Sequence, residues 1–533
     1  MEEKVIGLFT GSLEKVFMDS QTLREENSNS MLSDEKFHFQ LALKNVSGTV
    51  RKHVRVEAVG EAEKFISFRA VENVPGEIQA LGQPDDYYER TSPGLFPDIL
   101  APTGDEGLVL SPGYWKSVWI TADGKKVPAP GKYDVRIRVT EGDGVLLGEY
   151  TYALEVCPGK LEENDLLVTH WMHYDCIAVK HGVTLFSEKF YKIFAEYLTA
   201  YTEGGNTMLL TPLFTPPLDT EPGRERRTAQ LVDVYITETG YRFDFSKLGK
   251  FIRFASRHGV KYFEFSHLFT QWGGEFCPKI MAEKSGKTVR IFGWEDRSDG
   301  ENYRRFLDCF LPELMRYLRD HGYVERCYFH LTDEPDADHL EQYLRCRDAV
   351  KKHIGEARIM DALSDYAFYE KRAVDLPAVF IPQAEPFLSK GAEILLYYCC
   401  SPCDGYYSNR FLGMPSQRNR ILGIQLYLTG VKGFLHWGFN FYNSGLSMFE
   451  LDPYRDTNGG GFFPAGDSFL VYPRKDGVTK SVRYEVFADG IQDYRALKAL
   501  ERRKGREFVV NMLKDEGVTG LNVYPRSAEW HSE

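Results

Sequence analysis

Two adjacent carboxylates, Asp333 and Glu334, lie near the end of segment 327–335, which reads Cys-Tyr-Phe-His-Leu-Thr-Asp-Glu-Pro. The apolar start of this segment predicts a β-strand, in which neighbouring side chains point to opposite faces. Pro335 ends the hydrogen-bond ladder, so the backbone can turn there and both acids can face one pocket. Carboxyl groups that share a pocket push their pKa values apart, so one can hold a proton while the other is charged. Such a pair suits glycoside cleavage, although a solvated loop that caps the next helix would carry the same residues.

The composition limits the class of protein and its partners. A chain of 533 residues predicts two or three domains. The 65 basic and 77 acidic residues give a formal net charge of −12. Because an acidic surface repels phosphate groups, we expect no nucleic-acid partner and no electrostatic binding to a membrane. Aromatic residues make up 14% of the chain, a surplus that suits a sugar-binding cleft and a large core equally.

The start of the chain and the cysteines predict a cytoplasmic protein. Residues 1–8 lack the basic start and apolar run of a signal peptide, and no stretch of about 18 apolar residues could span a membrane. The nine cysteines show no disulfide-framework spacing, which fits a reducing compartment. Cys399, Cys400 and Cys403 lie close together without a second pair at metal-ligand spacing. We interpret them as reduced thiols and predict neither a metal nor a cofactor.

Residues 1–158 predict an antiparallel β-sandwich domain. Apolar and polar residues alternate over 37–43, 54–59 and 133–139. Gly, Pro, Asn and Asp clusters separate these runs, as at 73–76, and short strands with such punctuation are typical of a sandwich.

Residues 159–450 predict an α/β domain with the (β/α)₈ architecture of a TIM-type barrel. Short apolar runs alternate there with amphipathic helical stretches. The predicted strands are 166–171, 207–211, 261–267, 327–334, 358–363, 378–383, 393–398 and 433–440. The predicted helices are 187–201, 247–258, 302–321, 339–353 and 417–428. Eight strands interleaved with helices favour a closed barrel, and a doubly wound open sheet is the alternative.

Residues 451–533 predict a short C-terminal extension that packs on the barrel and completes it. A strand-like run over 468–472 is followed by a last helix over 489–503.

The C-terminal ends of barrel strands carry the reactive residues of such folds, and here these ends hold aromatic and amide side chains. Sugars stack their C–H faces on aromatic rings and bind amides through their hydroxyls, but other small polar ligands suit the same rim. In addition to the catalytic candidates Asp333 and Glu334, we predict a set of substrate-binding residues. They are Trp171, His267, Trp272, Tyr398, Arg420, Trp437, Asn440 and Tyr442.

Several of these residues have simpler roles that fit the same spacing. Trp437 on an apolar strand could fill the barrel interior. His267, with His170 and His173, could be buried, lie at the rim, or bind a metal. Arg420 lies in a predicted helix and could face solvent or orient a carboxylate. The spacing alone does not separate these roles.

Three parts of the sequence resemble the catalytic region of glycoside hydrolase family 123, the β-N-acetylgalactosaminidases. The resemblance covers about 165–505, and the order of sandwich and barrel matches as well. The stretches that carry it are 330–335; 420–427 with 433–440; and 466–473 with 481–485 and 489–494.

The resemblance implies a retaining mechanism in which the substrate supplies the nucleophile, an exception to the scheme with two enzyme carboxylates. Glu334 would be the general acid and base and would be protonated before reaction. Asp333 would stay charged, accept the acetamido N–H, and stabilise the oxazolinium-like intermediate. The partner would be an oligosaccharide or glycoconjugate that ends in N-acetylgalactosamine. Because the sequence starts without an export signal, we expect either small imported oligosaccharides as substrates or a native export signal that has been trimmed from this sequence.

Three other hypotheses fit the sequence. One is a glycosidase for a different sugar on the same scaffold. Another is a barrel protein that binds carbohydrate without turnover, which the intact Asp-Glu pair disfavours. The last is a metal-dependent lyase or isomerase. The sequence does not predict the linkage, the aglycone, the role of the sandwich or the oligomeric state.

Overall fold

The N-terminal part of the chain forms two five-stranded sheets. The structure is a computed structural model that describes residues 5–532. The strands of these sheets are β1 (Val5–Gly11), β2 (Ser28–Leu32), β3 (Lys36–Asn45), β4 (Arg51–Val59), β5 (Ile66–Gly76), β6 (Gly94–Pro102), β7 (Leu108–Leu110), β8 (Trp115–Asp123), β9 (Gly131–Glu141) and β10 (Val145–Cys157).

The two sheets share one hydrophobic core. Their strand orders are β1-β3-β8-β5-β6 and β2-β10-β9-β4-β7. Leu41 and Leu43 of β3 meet Ile137 and Val139 of β9 in this core, and their spacing of two residues follows from strand alternation. The prediction of antiparallel sheets is confirmed for these strands with one exception, since β2 pairs with β10 in parallel.

The rest of the chain alternates strands with helices. The strands are β11 (Leu167–His170), β12 (Met208–Thr211), β13 (Asp233–Thr237), β14 (Gly240–Asp244), β15 (Tyr262–Phe265), β16 (Ile280–Lys284), β17 (Lys287–Phe292), β18 (Cys327–Phe329), β19 (Arg358–Ala362), β20 (Leu376–Phe380), β21 (Leu395–Tyr397), β22 (Gly433–His436), β23 (Val471–Arg474) and β24 (Gly477–Lys480). The helices are α1 (Tyr174–Lys180), α2 (Glu188–Glu203), α3 (Ser246–Arg257), α4 (Glu301–Asp320), α5 (Leu340–Ile354), α6 (Tyr366–Glu370), α7 (Glu385–Leu388), α8 (Gln417–Arg420), α9 (Leu422–Thr429), α10 (Val482–Lys504), α11 (Arg506–Asp515) and α12 (Ala528–Ser532).

Eight parallel strands form a nearly closed barrel. Their spatial order is β11-β22-β21-β20-β19-β18-β15-β12, which is the chain order read around a ring. β11 and β12 meet where the Thr207 backbone N–H donates to the Val168 carbonyl at 2.9 Å. A doubly wound sheet reverses its strand order at one point, so that alternative is wrong.

Each predicted barrel strand has a counterpart at its predicted place, but the structure also contains elements that the sequence did not reveal. β13, β14, β16 and β17 form a separate four-stranded sheet inserted between β12 and α4. The helix predicted over 417–428 is divided into α8 and α9 at Ile421. These differences leave the order of the barrel strands unchanged.

Helix α10 follows the last barrel strand and packs beside β22 and β11. The ring of Phe487 lies 4.7 Å from that of His170 and 5.8 Å from that of Phe434, measured between centroids. The helix begins seven residues before the predicted 489, because the Ser481 hydroxyl accepts the Tyr484 backbone N–H at 3.0 Å and caps it.

Two glycines allow α9 and α10 to pack closely. A Cβ atom on Gly423 would lie 1.7 Å from the Gly490 carbonyl oxygen, and one on Gly490 would lie 2.6 Å from the Arg420 carbonyl oxygen. Either substitution would therefore force the helices apart.

The start of α10 also joins the barrel to the N-terminal sheets. Arg483 donates to both carboxylate oxygens of Asp98 in β6, at 2.9 and 2.8 Å. Glu485 accepts from Arg69 of β5 at 2.5 Å. Bidentate pairs of this kind fix geometry as well as charge. No helix within residues 5–532 has the length and apolar character needed to cross a membrane.

Candidate active site

A cavity of about 230 Å³ lies at the C-terminal ends of the barrel strands. Every barrel strand except β20, or the loop after it, contributes to the lining. The residues that bear on the chemistry include Trp171, Asp219, Trp272, Asp333, Glu334, Tyr397 and Trp437.

Asp333 and Glu334 both line this cavity, as their adjacency predicted. β18 ends at Phe329, however, so the pair follows the strand and does not lie in it. The Asp361 carboxylate accepts the Leu331 backbone N–H at 2.8 Å, and the Glu334 N–H donates to the Ala362 carbonyl at 3.0 Å. The turn occurs at Glu334 itself, whose φ of +43° is left-handed. This conformation, and not Pro335 alone, allows both acids to face one space.

The electrostatics of the pair differ from the prediction that Asp333 stays charged. Burial, and then the neighbouring Glu334 carboxylate, hold the pKa of Asp333 well above its usual range. The charge on His330 opposes this effect. Burial and the Glu334 charge both favour the neutral form of Asp333, so this carboxyl holds a proton more readily than a free aspartate does.

Tyr397 at the end of β21 contacts the pair directly. Its hydroxyl donates to Oε1 of Glu334 at 2.7 Å. The sequence prediction chose the neighbouring Tyr398, which also lines the cavity, although its ring packs against Phe434 and His436 at 4.8 and 5.4 Å. Tyr398 is fully buried at the edge of the cavity. Tyr397 is therefore the member of this pair that bonds to the acid, a contact that the sequence prediction missed.

Tryptophans form much of the cavity wall. Trp171, Trp272 and Trp437 line it as predicted. Trp272 is 45% exposed, and its backbone N–H donates to the Asp333 carbonyl at 2.8 Å. This contact ties the loop after β15 to the carboxylate pair, so the ring and the acids keep a fixed relationship.

The indole of Trp437 is held by Asp467. Its Nε1–H donates to Oδ2 of Asp467 at 3.0 Å, and Nε2–H of His436 donates to Oδ1 at 3.1 Å. Burial raises the pKa of Asp467 to about 7, although the Arg410 charge opposes this shift. Asp467 lies in segment 466–473, which carried part of the family resemblance, so that segment orients one wall of the cavity.

A buried charge network lies next to the cavity. His330 donates to Oε2 of Glu264 at 2.8 Å and to Oδ1 of Asp361 at 3.2 Å. Burial alone would lower the pKa of His330, but these hydrogen bonds and charges outweigh it and raise the pKa to about 9. Trp171 Nε1 donates to the same Glu264 oxygen at 3.2 Å. The network therefore holds Trp171 as well as a charged imidazole.

His267 does not line the cavity, contrary to its predicted role in substrate binding. Its ring stacks on that of His330 at 4.4 Å and meets Trp171 edge to face at 5.3 Å. Burial and the His330 charge hold its pKa well below the usual range, so it is neutral. The side-chain atoms of His267, His330 and Asp361 that could bind a metal ion lie within 4.8 Å of one another. Both nitrogens of His330 already bind carboxylates, which leaves no lone pair for a metal unless this network rearranges.

The structure places three more predicted residues outside the cavity lining. Arg420 donates to both carboxylate oxygens of Asp493 in α10, at 2.8 and 2.9 Å. The Asn440 amide donates to the His173 carbonyl at 3.0 Å and accepts its N–H at 2.9 Å. The Tyr442 hydroxyl donates to the Val471 carbonyl at 2.8 Å. All three bind other parts of the chain, so they stabilise the fold around the site.

The sequence did not reveal several residues that line the cavity, among them Tyr397 and Asp219. Tyr397 was hidden by its neighbour Tyr398. Asp219 lies in the loop after β12, where no strand pattern marks it. Cys399 and Cys400 also line the cavity, with their sulfur atoms 3.8 Å apart. Their position beside a strand end was predicted, but not their exposure to the cavity.

A parallel barrel with two carboxylates in an aromatic-walled cavity at its strand ends is typical of enzymes that cleave glycosidic bonds. The family model described as glycoside hydrolase 123, catalytic domain, matches residues 171–500. This match spans more than half of the chain, so the chain belongs to glycoside hydrolase family 123. It is a glycoside hydrolase, and its substrate is a carbohydrate or glycoconjugate.

The fold agrees with that of a solved family 123 enzyme. A family 123 glycoside hydrolase from Clostridium perfringens, described in a study of glycolipid glycan hydrolysis, has a TM-score of 0.73 and 17% sequence identity. The alignment covers 95% of this chain and 91% of that chain. An endo-β-1,4-mannanase from Thermotoga petrophila gives a TM-score of 0.36 at 12% identity, covering 62% of this chain and 77% of that one. No curated protein matches the sequence.

Proposed function

We propose that this enzyme removes terminal β-linked N-acetylgalactosamine by a retaining mechanism in which the substrate acetamido group is the nucleophile. The observation that carries the proposal is the placement of Asp333 and Glu334 in one cavity. Membership of the family supports the acetamido substrate, because the resemblance in the sequence is to β-N-acetylgalactosaminidases.

Glu334 is the general acid in this proposal. Its Oε1 accepts the Tyr397 hydroxyl, so Oε2 is the oxygen that remains to carry a proton to the departing glycosidic oxygen. The acetamido oxygen attacks the anomeric carbon as that bond breaks and forms an oxazolinium ring. Glu334 then removes a proton from a water molecule. This water attacks the anomeric carbon and opens the ring. General acid-base catalysis of this kind contributes roughly 10²–10⁴-fold to the rate.

Asp333 accepts the acetamido N–H and stabilises the positive charge of the ring. The raised pKa of Asp333 means that substrate must favour its charged form. The acetamido N–H does this, because a donor to a carboxylate stabilises the ionised state. Binding therefore favours a charged Asp333 beside a protonated Glu334, which the first step needs.

The architecture supports a finer description of the chain. We propose a sandwich domain over 1–158, a (β/α)₈ catalytic barrel of the TIM type over 159–450, and a C-terminal part over 451–533 that completes the barrel domain. The sandwich has a hydrophobic core of its own. Residues of α10 share a core with barrel strands instead. Trp171, Trp272 and Trp437 are the proposed platforms for the sugar ring.

A panel of aryl β-glycosides tests the proposal. The enzyme should release the aryl group from the N-acetylgalactosaminide faster than from the galactoside, the glucoside and the N-acetylglucosaminide. A cyclic thiazoline that mimics the oxazolinium ring should inhibit it. Faster cleavage of the plain galactoside, without inhibition by the thiazoline, would instead support a glycosidase that does not use an acetamido group.

A further inference from the structure

A third carboxylate, Asp219, reaches the cavity from the loop after β12. It lines the same space as Asp333 and Glu334. Its charge contributes to the raised pKa of Asp333 and also to that of Asp467, which lies under Trp437. Asp219 is therefore close enough to both acids to affect their charge, and its place in the cavity lining assigns it to the cavity and not to the outer surface.

The backbone at Asp219 is held in a strained conformation. Its φ of +41° is left-handed. Leu446 and Ser447, in the segment that contacts Asp219, are also left-handed, with φ values of +56° and +52°. The Ser447 hydroxyl donates to the Asp219 carbonyl at 2.7 Å. Left-handed backbone costs a non-glycine residue on the order of 1 kcal/mol, and such strain concentrates at functional sites. Glycine would fit this position without strain, yet the chain places a carboxylate there.

The Asp219 carboxylate is poorly satisfied by the protein. Its Oδ2 is closed off from solvent and has no hydrogen-bond partner among residues 5–532. The nearby guanidinium of Arg226 is engaged by Asp175, with bonds of 2.7 and 2.9 Å. Burial raises the pKa of Asp219 to about 6. The Leu446 backbone N–H supplies one hydrogen bond to this carboxylate, but a carboxylate oxygen that is buried without a donor, as Oδ2 is, remains costly unless something else supplies one.

We propose that Asp219 accepts a hydrogen bond from a sugar hydroxyl on the ring edge remote from the anomeric carbon, and so selects the sugar that the enzyme cleaves. A carboxylate only accepts hydrogen bonds, and hydroxyls at C3, C4 and C6 are the donors on that edge. The inference rests on the proposed function, in which Asp333 and Glu334 occupy the edge at C1 and C2. A site built to bind a hydroxyl discriminates strongly against an analogue that lacks it.

Deoxy substrates test this contact. We would measure kcat/KM of the wild type and Asp219→Asn on the aryl N-acetylgalactosaminide and its 3-, 4- and 6-deoxy forms. Asparagine tolerates left-handed backbone, so the fold should persist. The variant should lose about 10- to 100-fold on the parent compound, as expected for a charge-assisted hydrogen bond. On the deoxy form that lacks the bonded hydroxyl, kcat/KM of the variant should fall by less than about threefold relative to the wild type. Equal losses on all four compounds would overturn the contact.

Stability separates a binding role from a structural one. Asp219→Asn and Asp219→Gly should keep or raise Tm, because they remove a poorly satisfied charge. Ser285→Gly is the control for the backbone, since Ser285 is left-handed at φ +51° in the exposed turn between β16 and β17, and it should keep full activity. A fall in Tm in both Asp219 variants would assign Asp219 to the fold and overturn the inference.

Failure of the proposed function would look different. If the wild type cleaves none of the N-acetylgalactosaminides, calorimetry with the aryl glycosides of the panel replaces kinetics, and the same comparison is made on Kd. Binding that weakens at least tenfold in Asp219→Asn would support the contact without the proposed reaction. Absence of binding by every glycoside, or equal Kd values in variant and wild type, would overturn the inference as well.

Discussion

The Tyr397 hydroxyl donates to Oε1 of Glu334 over 2.7 Å, which joins the end of β21 to the turn that follows β18. One oxygen of the proposed acid is thereby fixed, and the other is left for the substrate. Burial and the Glu334 charge hold the pKa of Tyr397 well above its usual range, so the hydroxyl remains a donor throughout the neutral range.

Tyr397→Phe should lower kcat by about tenfold, the effect of losing one hydrogen bond of about 1.4 kcal/mol. A hydroxyl that donates to a carboxylate favours the charged form. Its removal should therefore move the basic limb of the kcat/KM profile to higher pH, because the acid keeps its proton longer. Tyr398→Phe is the matched control, since the Tyr398 hydroxyl has no hydrogen-bond partner within residues 5–532. A basic limb that stays in place in Tyr397→Phe would contradict the assignment.

Asp467→Asn should weaken substrate binding more than it slows the chemical step. Asp467 accepts from both Trp437 and His436, and an amide can accept from only one of them while its NH₂ group faces the other. We expect KM to rise about tenfold with a smaller change in kcat, and stability to fall by about 1–2 kcal/mol. A double-mutant cycle with Trp437→Phe measures the coupling. If the two effects simply add, Asp467 does not act through Trp437.

His330→Gln should remove a pH dependence of stability. The folded pKa of His330, about 9, lies above its unfolded value of about 6.5. The charged imidazole therefore stabilises the fold fully below pH 6.5, and this contribution of up to about 3 kcal/mol is lost as the pH rises through 9. Urea unfolding at pH 6, 7.5 and 9 should show the decline in the wild type and less of it in the variant. The variant should also be less stable at pH 6, because two buried carboxylates lose their counter-charge.

His353→Gln serves as the control for that series. His353 pairs with the half-exposed Asp308 at 2.7 Å on the surface, where ion pairs contribute little. The unfolding free energy of His353→Gln should match that of the wild type at each pH. A wild type whose stability rises from pH 6 to pH 9 would contradict a charged His330.

Chelation should leave both activity and Tm unchanged. The possible ligands His330 and Asp361 already bind each other, and Asp361 also accepts from Tyr343 at 2.6 Å. A metal would have to replace these bonds and deprotonate His330. Dialysis against EDTA followed by assays with and without Zn²⁺ tests this prediction. Activity that is lost with EDTA and restored by Zn²⁺ would assign a metal to His267, His330 and Asp361.

The barrel was predictable because each of its strands is a short apolar run, and such runs mark buried parallel strands. The Asp333-Glu334 pair was predictable because it follows one of these runs. The sheet of β13, β14, β16 and β17 was not, since charged residues such as Asp233, Arg242 and Glu283 interrupt its apolar pattern.

The contacts of individual residues were harder to predict than the elements. Tyr398 was predicted and Tyr397 was missed, because an apolar run does not show which of two adjacent tyrosines reaches the acids. Arg420 was misplaced because its partner Asp493 is 73 residues away in the chain. Asp219 could not be found, because its role depends on a loop conformation stabilised by Ser447. Contacts of this kind are set by tertiary structure and leave no local pattern.

The central claim is that the substrate acetamido group attacks the anomeric carbon while Asp333 and Glu334 assist. Rates for aryl glycosides with N-acetyl, N-fluoroacetyl, N-difluoroacetyl and N-trifluoroacetyl groups test it most directly, because each fluorine makes the attacking oxygen less nucleophilic while the leaving group stays the same. We expect kcat/KM to fall steeply along the series, by orders of magnitude in total. Rates that stay level across all four compounds would contradict it.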